Sequence, residues 1–105
     1  MTQDEIKAWA LGAGWTEIGG FLSLTKPSKP KEAVVRLVLK ATVVAVEAKK
    51  PAGNKWEKIS GAAYAAVVAD EETGVPSGLM LETIPGFRML MQENRDRQVF
   101  AKMGG

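Results

Sequence analysis

Nine lysines and arginines but only three glutamates fall between Lys26 and Lys58, and this surplus of six positive charges is the strongest chemical signal in the chain. The flanking stretches, 1–25 and 59–105, each carry a net charge of −2, so a total of only +2 describes a dipolar molecule. Lys26, Lys29, Lys31, Arg36, Lys40, Lys49, Lys50, Lys55 and Lys58 supply cations. Trp56, with Tyr64 nearby in sequence, supplies rings on which bases or guanidinium planes stack. The competing explanation is structural. Lysines on loops and edge strands keep a protein soluble and block edge-to-edge pairing, and Trp9, Trp15 and Trp56 are all of a type that fills a small core.

Other chemistry has little to stand on. The 105 residues include no histidine and no cysteine, which removes the commonest general base near neutral pH, thiolate nucleophiles, disulfides and the usual zinc and haem ligands. Asp70, Glu71 and Glu72 are the one carboxylate cluster. Consecutive acids before Thr73-Gly74 fit an exposed turn better than a shielded cation or acid/base site, and calcium-loop spacing is missing. Gly19-Gly20, Gly53-Asn54-Lys55 and Gly61 match neither phosphate-binding fingerprint. Ser23, Ser28, Ser60 and Ser77 lack a nucleophile-elbow setting. No catalytic residue, metal or cofactor is expected, and the chain is not expected to be an enzyme.

The elements that must position the basic residues begin with a helix. Thr2 and Glu5 form a Thr-x-x-Glu capping box, and Ile6, Trp9 and Ala10 fall on one apolar face. Gly12 and Gly14 end it. Trp15 to Ile18 and Phe21 to Thr25 flank Gly19-Gly20, a two-residue hairpin signal. Two prolines in Lys26 to Lys31 predict a loop. Val34 to Val46 alternates at period two, with Val35, Leu37, Leu39, Ala41, Val43 and Ala45 facing the core. Thirteen extended residues would span about 40 Å, against a radius of gyration near 13 Å for a domain of this size, so a bend or bulge near Lys40 to Thr42, or a projecting arm, is expected. The second face of that strand also carries Val34, Val38, Val44 and Val46, which predicts a homodimer through its edge.

A turn follows at 49–55, then a strand from Trp56 to Ile59. A turn or short helical piece leads into a strand over about Tyr64 to Ala69. Pro85 fits the first turn of a helix running to about Lys102. Its stripe of Phe87, Leu90, Met91, Asn94, Gln98 and Ala101 is apolar only at the ends, which leaves a hairpin of Phe87 to Gln92 with Gln98 to Met103 as the alternative. The expectation is one α+β domain over 1–105: an N-terminal helix, an antiparallel sheet of four to five strands including one long bent strand, and a C-terminal helix. Such a chain is long enough to bury roughly 65% of the surface exposed on unfolding. With no cysteine, no signal-peptide pattern and no apolar run long enough to span a bilayer, it is expected to be soluble and cytoplasmic.

The opening Met1-Thr-Gln-Asp-Glu-Ile-Lys-Ala-Trp9-Ala, closing with Gly14-Trp15, and more loosely the stretch Lys55-Trp56 to Gly61, resemble segments of small uncharacterised proteins encoded by bacteriophages and prophages. The resemblance covers about a fifth of the chain and implies no site residues. It implies a phage or mobile-element origin, and with it a class of small proteins that bind and block host machinery, including inhibitors of CRISPR and other defence systems. The expected function is therefore non-catalytic: steric blocking of a host protein or nucleoprotein complex in the bacterial cytoplasm. The alternative is direct DNA or RNA binding through residues 26–58.

Overall fold

Thr2 caps α1 (Gln3–Gly12) as the sequence predicts: its hydroxyl accepts the Glu5 N–H at 3.1 Å, and the Glu5 carboxylate accepts the Thr2 N–H at 2.8 Å. The α-amino group of Met1 donates to the carbonyls of Tyr64 and Val67, tying the start of α1 to a segment more than sixty residues away. The computed structural model describes residues 1–26, 28–50 and 55–104, with side chains throughout those ranges except at 30 and 99–104.

After α1 the chain builds one antiparallel sheet in sequence order: β1 (Thr16–Ile18), β2 (Phe21–Lys26), β3 (Lys29–Leu39), β4 (Val43–Lys49) and β5 (Trp56–Ala63). Gly19 and Gly20 both take positive φ, 59° and 87°, which is what the tight β1–β2 turn demands. A second, two-stranded sheet pairs β6 (Val68–Ala69) with β7 (Pro76–Ser77) around the acidic turn. The chain ends in α2 (Phe87–Gly104), so the C-terminal hairpin alternative is overturned. This is an α+β fold. No helix among the described residues is long and apolar enough to cross a membrane.

Three local expectations need correction. Residues 34–46 are not one long strand but a hairpin, closed by a turn at Lys40–Thr42 in which the Lys40 N–H reaches the Val43 carbonyl at 2.9 Å. Because Leu37 lies opposite Val46 and Leu39 opposite Val44, the reversal puts Val44 and Val46 on the same face as Val35 and Leu37, all at 2% exposure or less. Both β3 and β4 are paired on each side, so the strand edge expected to form a dimer does not exist. Next, β3 starts at Lys29 and not after the loop. Pro30 lies ahead of Val35, where pairing with β4 begins, so its missing N–H breaks no bond to that strand. Finally, β5 runs on to Ala63, and Tyr64–Ala66 is a 3-10 turn, leaving only two residues for β6. Part of the turn expected at 49–55, residues 51–54, lies outside the described residues, as does Pro27.

One face of the sheet carries the core. Leu22, Leu24, Val35, Leu37, Val44 and Val46 meet Ile6 and Ala10 of α1, Phe87 and Met91 of α2, and Val67, Leu79, Leu81 and Ile84 from the intervening segment. Trp15 packs between Trp9 and Phe87 with tilted rings, the centroids 5.9 and 6.5 Å away. Both helices therefore cover one side of the sheet, and the radius of gyration, 13.3 Å, leaves no room for a projecting arm.

Two carboxylates titrate abnormally for local reasons. Glu5 is held below its ordinary value by the Thr2 amide and then the Thr2 hydroxyl, and Asp70 by the amides of Thr73 and Glu72. A depressed folded-state pKa contributes stability that is complete above the unfolded-state value and is lost as pH falls through the lowered one. In urea titrations at stepped pH, Glu5→Gln and Asp70→Asn should therefore fall below wild type at neutral pH and converge with it on the acid side. Parallel curves at all pH values would sink this assignment.

Candidate functional site

The face of the sheet turned away from the helices is shaped by register shifts between β2 and β3 and between β4 and β5. Between β2 and β3, Leu24 pairs with Val35 but Thr25 with Ala33, so Val34 is an extra residue; Val34 and Val35 both turn toward the core side. Lys31, Ala33 and Arg36 consequently line one hollow despite the odd spacing from 33 to 36. Between β4 and β5, Val46 pairs with Ser60 but Glu47 with Lys58, so Ile59 is the extra residue and packs on the core. Trp56 joins the open face, diagonal to Arg36.

There the Arg36 guanidinium lies between two rings, its central carbon 4.5 Å from the Phe21 centroid and 4.1 Å from that of Trp56. Its Nε donates to the Glu47 carboxylate directly across the β3–β4 ladder at 2.7 Å, with the two side chains 23% and 25% exposed. Each cation–π contact of this kind contributes about 0.5–2 kcal/mol, and together with the ion pair they hold the guanidinium plane fixed. The two terminal nitrogens meet no acceptor among the described residues, and neither is sealed from solvent. Lys49 Nζ approaches the Trp56 centroid to 5.2 Å. Beneath Arg36, buried Ser23 donates its hydroxyl to the Phe21 carbonyl at 3.0 Å.

Ile18, Phe21, Ser23, Lys31, Arg36, Lys49 and Trp56, together with Glu32 and Ala33, enclose a hollow of about 380 Å³. No family model, curated protein or solved structure matches this chain. Lys31 and Lys49 have no carboxylate within ion-pair reach among the described residues, whereas Glu32 is engaged by Lys26 at 3.8 Å and Lys29 at 3.6 Å.

Of the ten residues predicted to bind a partner, five share this face: Lys31, Arg36, Lys49, Trp56 and Lys58, the last lying along Gly61, where an added Cβ would be 3.1 Å from its Cε. Lys26 and Lys29 oppose one another where β2 gives way to β3, at the rim. Lys50 pairs with Glu57 at 3.8 Å and lines a different hollow beside Pro85 and Leu90 on the helix side. Lys40 stands in the β3–β4 turn at the other end of the sheet. Lys55 is exposed just before β5. Tyr64 is no stacking platform: it packs against the core, burial pushes its phenol pKa up, and its hydroxyl donates to the Lys40 carbonyl at 2.6 Å.

Phe21 and Glu47 complete the site and were not predicted. Neither carries a motif, and their proximity to Arg36 follows only from the register. A larger cleft of about 870 Å³ lies on the other side, between β7 and the start of α2, walled by Val75, Leu81, Ile84, Phe87 and Met89. Asp70 on its rim spends its carboxylate on the Glu72 and Thr73 amides, both at 2.9 Å, in the turn role read from the sequence.

Proposed function

We propose that this protein is a non-catalytic binding protein that works sterically, laying the open face of its sheet over a host protein or nucleoprotein complex. The observation that carries the proposal is the Phe21–Arg36–Trp56 stack, locked by Glu47 in the middle of a face that no helix covers. Arginine and aromatic side chains dominate binding energy at interfaces, and groups already fixed in place lose little entropy on docking. The hydroxyl of Ser23, opposite Arg36, is buried and bonded to a backbone carbonyl, which suits a structural role and not nucleophilic attack. The phage resemblance of the N-terminal segment supplies the setting, a bacterial host and a blocking role that includes defence systems among its targets.

Affinity capture from bacterial lysate at low salt tests this when wild type is run beside Trp56→Ala and Lys31→Glu/Lys49→Glu. A defined protein or nucleoprotein should be retained by wild type and depleted roughly 30-fold or more by the variants, the effect of losing an interface hot spot of about 2 kcal/mol. Capture of nothing, or of a partner to which the face variants are indifferent, would count against the proposal.

A further inference from the structure

The hollow between Phe21, Arg36 and Trp56 has a more specific chemistry than a general docking face, and we infer that it takes single-stranded nucleic acid, with one phosphodiester on the Arg36 fork and the adjoining bases against the two rings. The inference rests on the open face being the binding surface. The two rings hold the central carbon of the guanidinium and Glu47 holds its Nε, leaving the two terminal nitrogens to donate, and a pair of guanidinium donors is matched by the two oxygens of a phosphate. Lys31 and Lys49 line the same hollow as Arg36 and have no carboxylate partners among the described residues, so the hollow is lined by three cations. Glu32, the carboxylate in its wall, is bridged to Lys26 and Lys29, and Glu47, across the ladder from Arg36, is held by that arginine. Its volume of about 380 Å³ falls in the range of small-molecule sites, roughly 300–1,000 Å³.

The strand state follows from shape. A duplex hides its base faces, and its major groove admits a helix or a two-stranded ribbon, not the open side of a five-stranded sheet. Phe21 and Trp56 would then have nothing to stack against. Unpaired bases splay onto aromatic side chains of a sheet surface, and any base serves because every base has a π face. The ligand is therefore bound with little dependence on sequence.

Fluorescence anisotropy with a labelled single-stranded 12-mer and its duplex, using the full chain, tests the assignment. With two to three phosphates neutralised, affinity for the single strand should fall about tenfold between 50 and 200 mM salt, from the slope of roughly −0.7 per phosphate. Lys31→Gln and Lys49→Gln, both surface changes, should each weaken binding and flatten that slope by about 0.7. Arg36→Lys keeps the charge but loses the fork and the stack, so it should weaken binding about tenfold at unchanged slope. Trp56→Ala should cost a similar factor. Lys7→Gln, on the helix side and paired with Glu17, should change nothing. Duplex should bind at least tenfold more weakly than single strand.

No binding at 50 mM salt, equal affinity for duplex, or a Lys31→Gln/Lys49→Gln protein that binds like wild type would overturn the inference. Competition by polyglutamate as effective as that by the oligonucleotide would also overturn it, identifying an acidic protein surface as the ligand. If capture from lysate depends on the face and survives nuclease treatment while oligonucleotides fail to bind, the docking proposal stands and the nucleic-acid assignment falls.

Discussion

Asn94→Leu is expected to lower the unfolding free energy by about 3–5 kcal/mol, because it strands two buried backbone groups at roughly 1–3 kcal/mol each and removes further bonds. Asn94 lies on the buried face of α2 at 4% exposure. Its Oδ1 accepts from the Thr25 N–H at 3.0 Å and the Thr25 hydroxyl at 3.3 Å, while its Nδ2 donates to the Thr25 carbonyl at 3.0 Å and the Leu90 carbonyl at 2.8 Å. The side-chain amide thus takes the place of a strand's peptide group. It is needed because β1 begins only at Thr16, opposite Ser23, and so does not reach Thr25 from that side. Arg97 adds a bond to the Thr25 hydroxyl at 2.8 Å. Leucine keeps the volume and removes the partners, so a cavity cannot account for the loss. Thr25→Val, which removes only the hydroxyl, should cost about 1 kcal/mol. Urea unfolding measures both, and an unfolding free energy for Asn94→Leu within about 1 kcal/mol of wild type would show that Thr25 finds other acceptors and donors.

That polar residue is also why the C-terminal helix was ambiguous in sequence. A stripe of Phe87, Leu90, Met91, Asn94 and Gln98 has the spacing of a helix but a hydrophilic centre, and periodicity cannot show that Asn94 is buried to serve a strand. The capping box of α1 and the Gly19-Gly20 turn were legible because their signals are local: a few residues contain both the donor and the acceptor, or the positive φ itself. The Lys40–Thr42 turn was only half legible. No residue there takes a positive φ, so no glycine or asparagine marks it, and alternation runs through it unbroken. Pairing Leu39 with Val44 then inverts the parity, exposing Val43 and burying Val44 and Val46. Chain length against domain size signalled that the strand must bend or project as an arm. It could not say that the bend reverses the faces.

The candidate site divides along the same line. Composition located the basic stretch, and Lys31, Arg36, Lys49, Trp56 and Lys58 do come together. Their shared face depends on extra residues at Val34 and Ile59, which leave no mark in the sequence. Without those bulges strict alternation would put Lys31 and Arg36 on opposite sides. The shifts between β2 and β3 lie on either side of Thr25, the residue that the Asn94 amide holds, so the clamp sits where the register on which the open face depends is set.

Gly14→Ala should destabilise the protein by about 3–5 kcal/mol, combining a backbone conformation unfavourable to alanine with a steric clash. Gly14 has φ of +104°, and a Cβ there would stand 2.8 Å from the Arg95 nitrogen, 3.0 Å from its Cα and 3.1 Å from the Asn94 carbonyl carbon. Those are backbone atoms of α2, which cannot swing aside as a side chain can. A glycine series separates the two causes. Gly12, the last residue of α1, has open space and no positive φ, so Gly12→Ala should be neutral or stabilising by up to about 1 kcal/mol. Gly20 has φ of +87° but nothing within 4 Å, so Gly20→Ala should cost only the conformational share, about 1–2 kcal/mol. Should Gly14→Ala lose no more than Gly20→Ala in urea unfolding, α2 yields at this contact and the steric argument fails. If the larger loss is found, Gly14→Ala combined with Asn94→Leu should cost less than the sum of the two, since displacing α2 at Arg95 already disturbs the Asn94 bonds to Thr25.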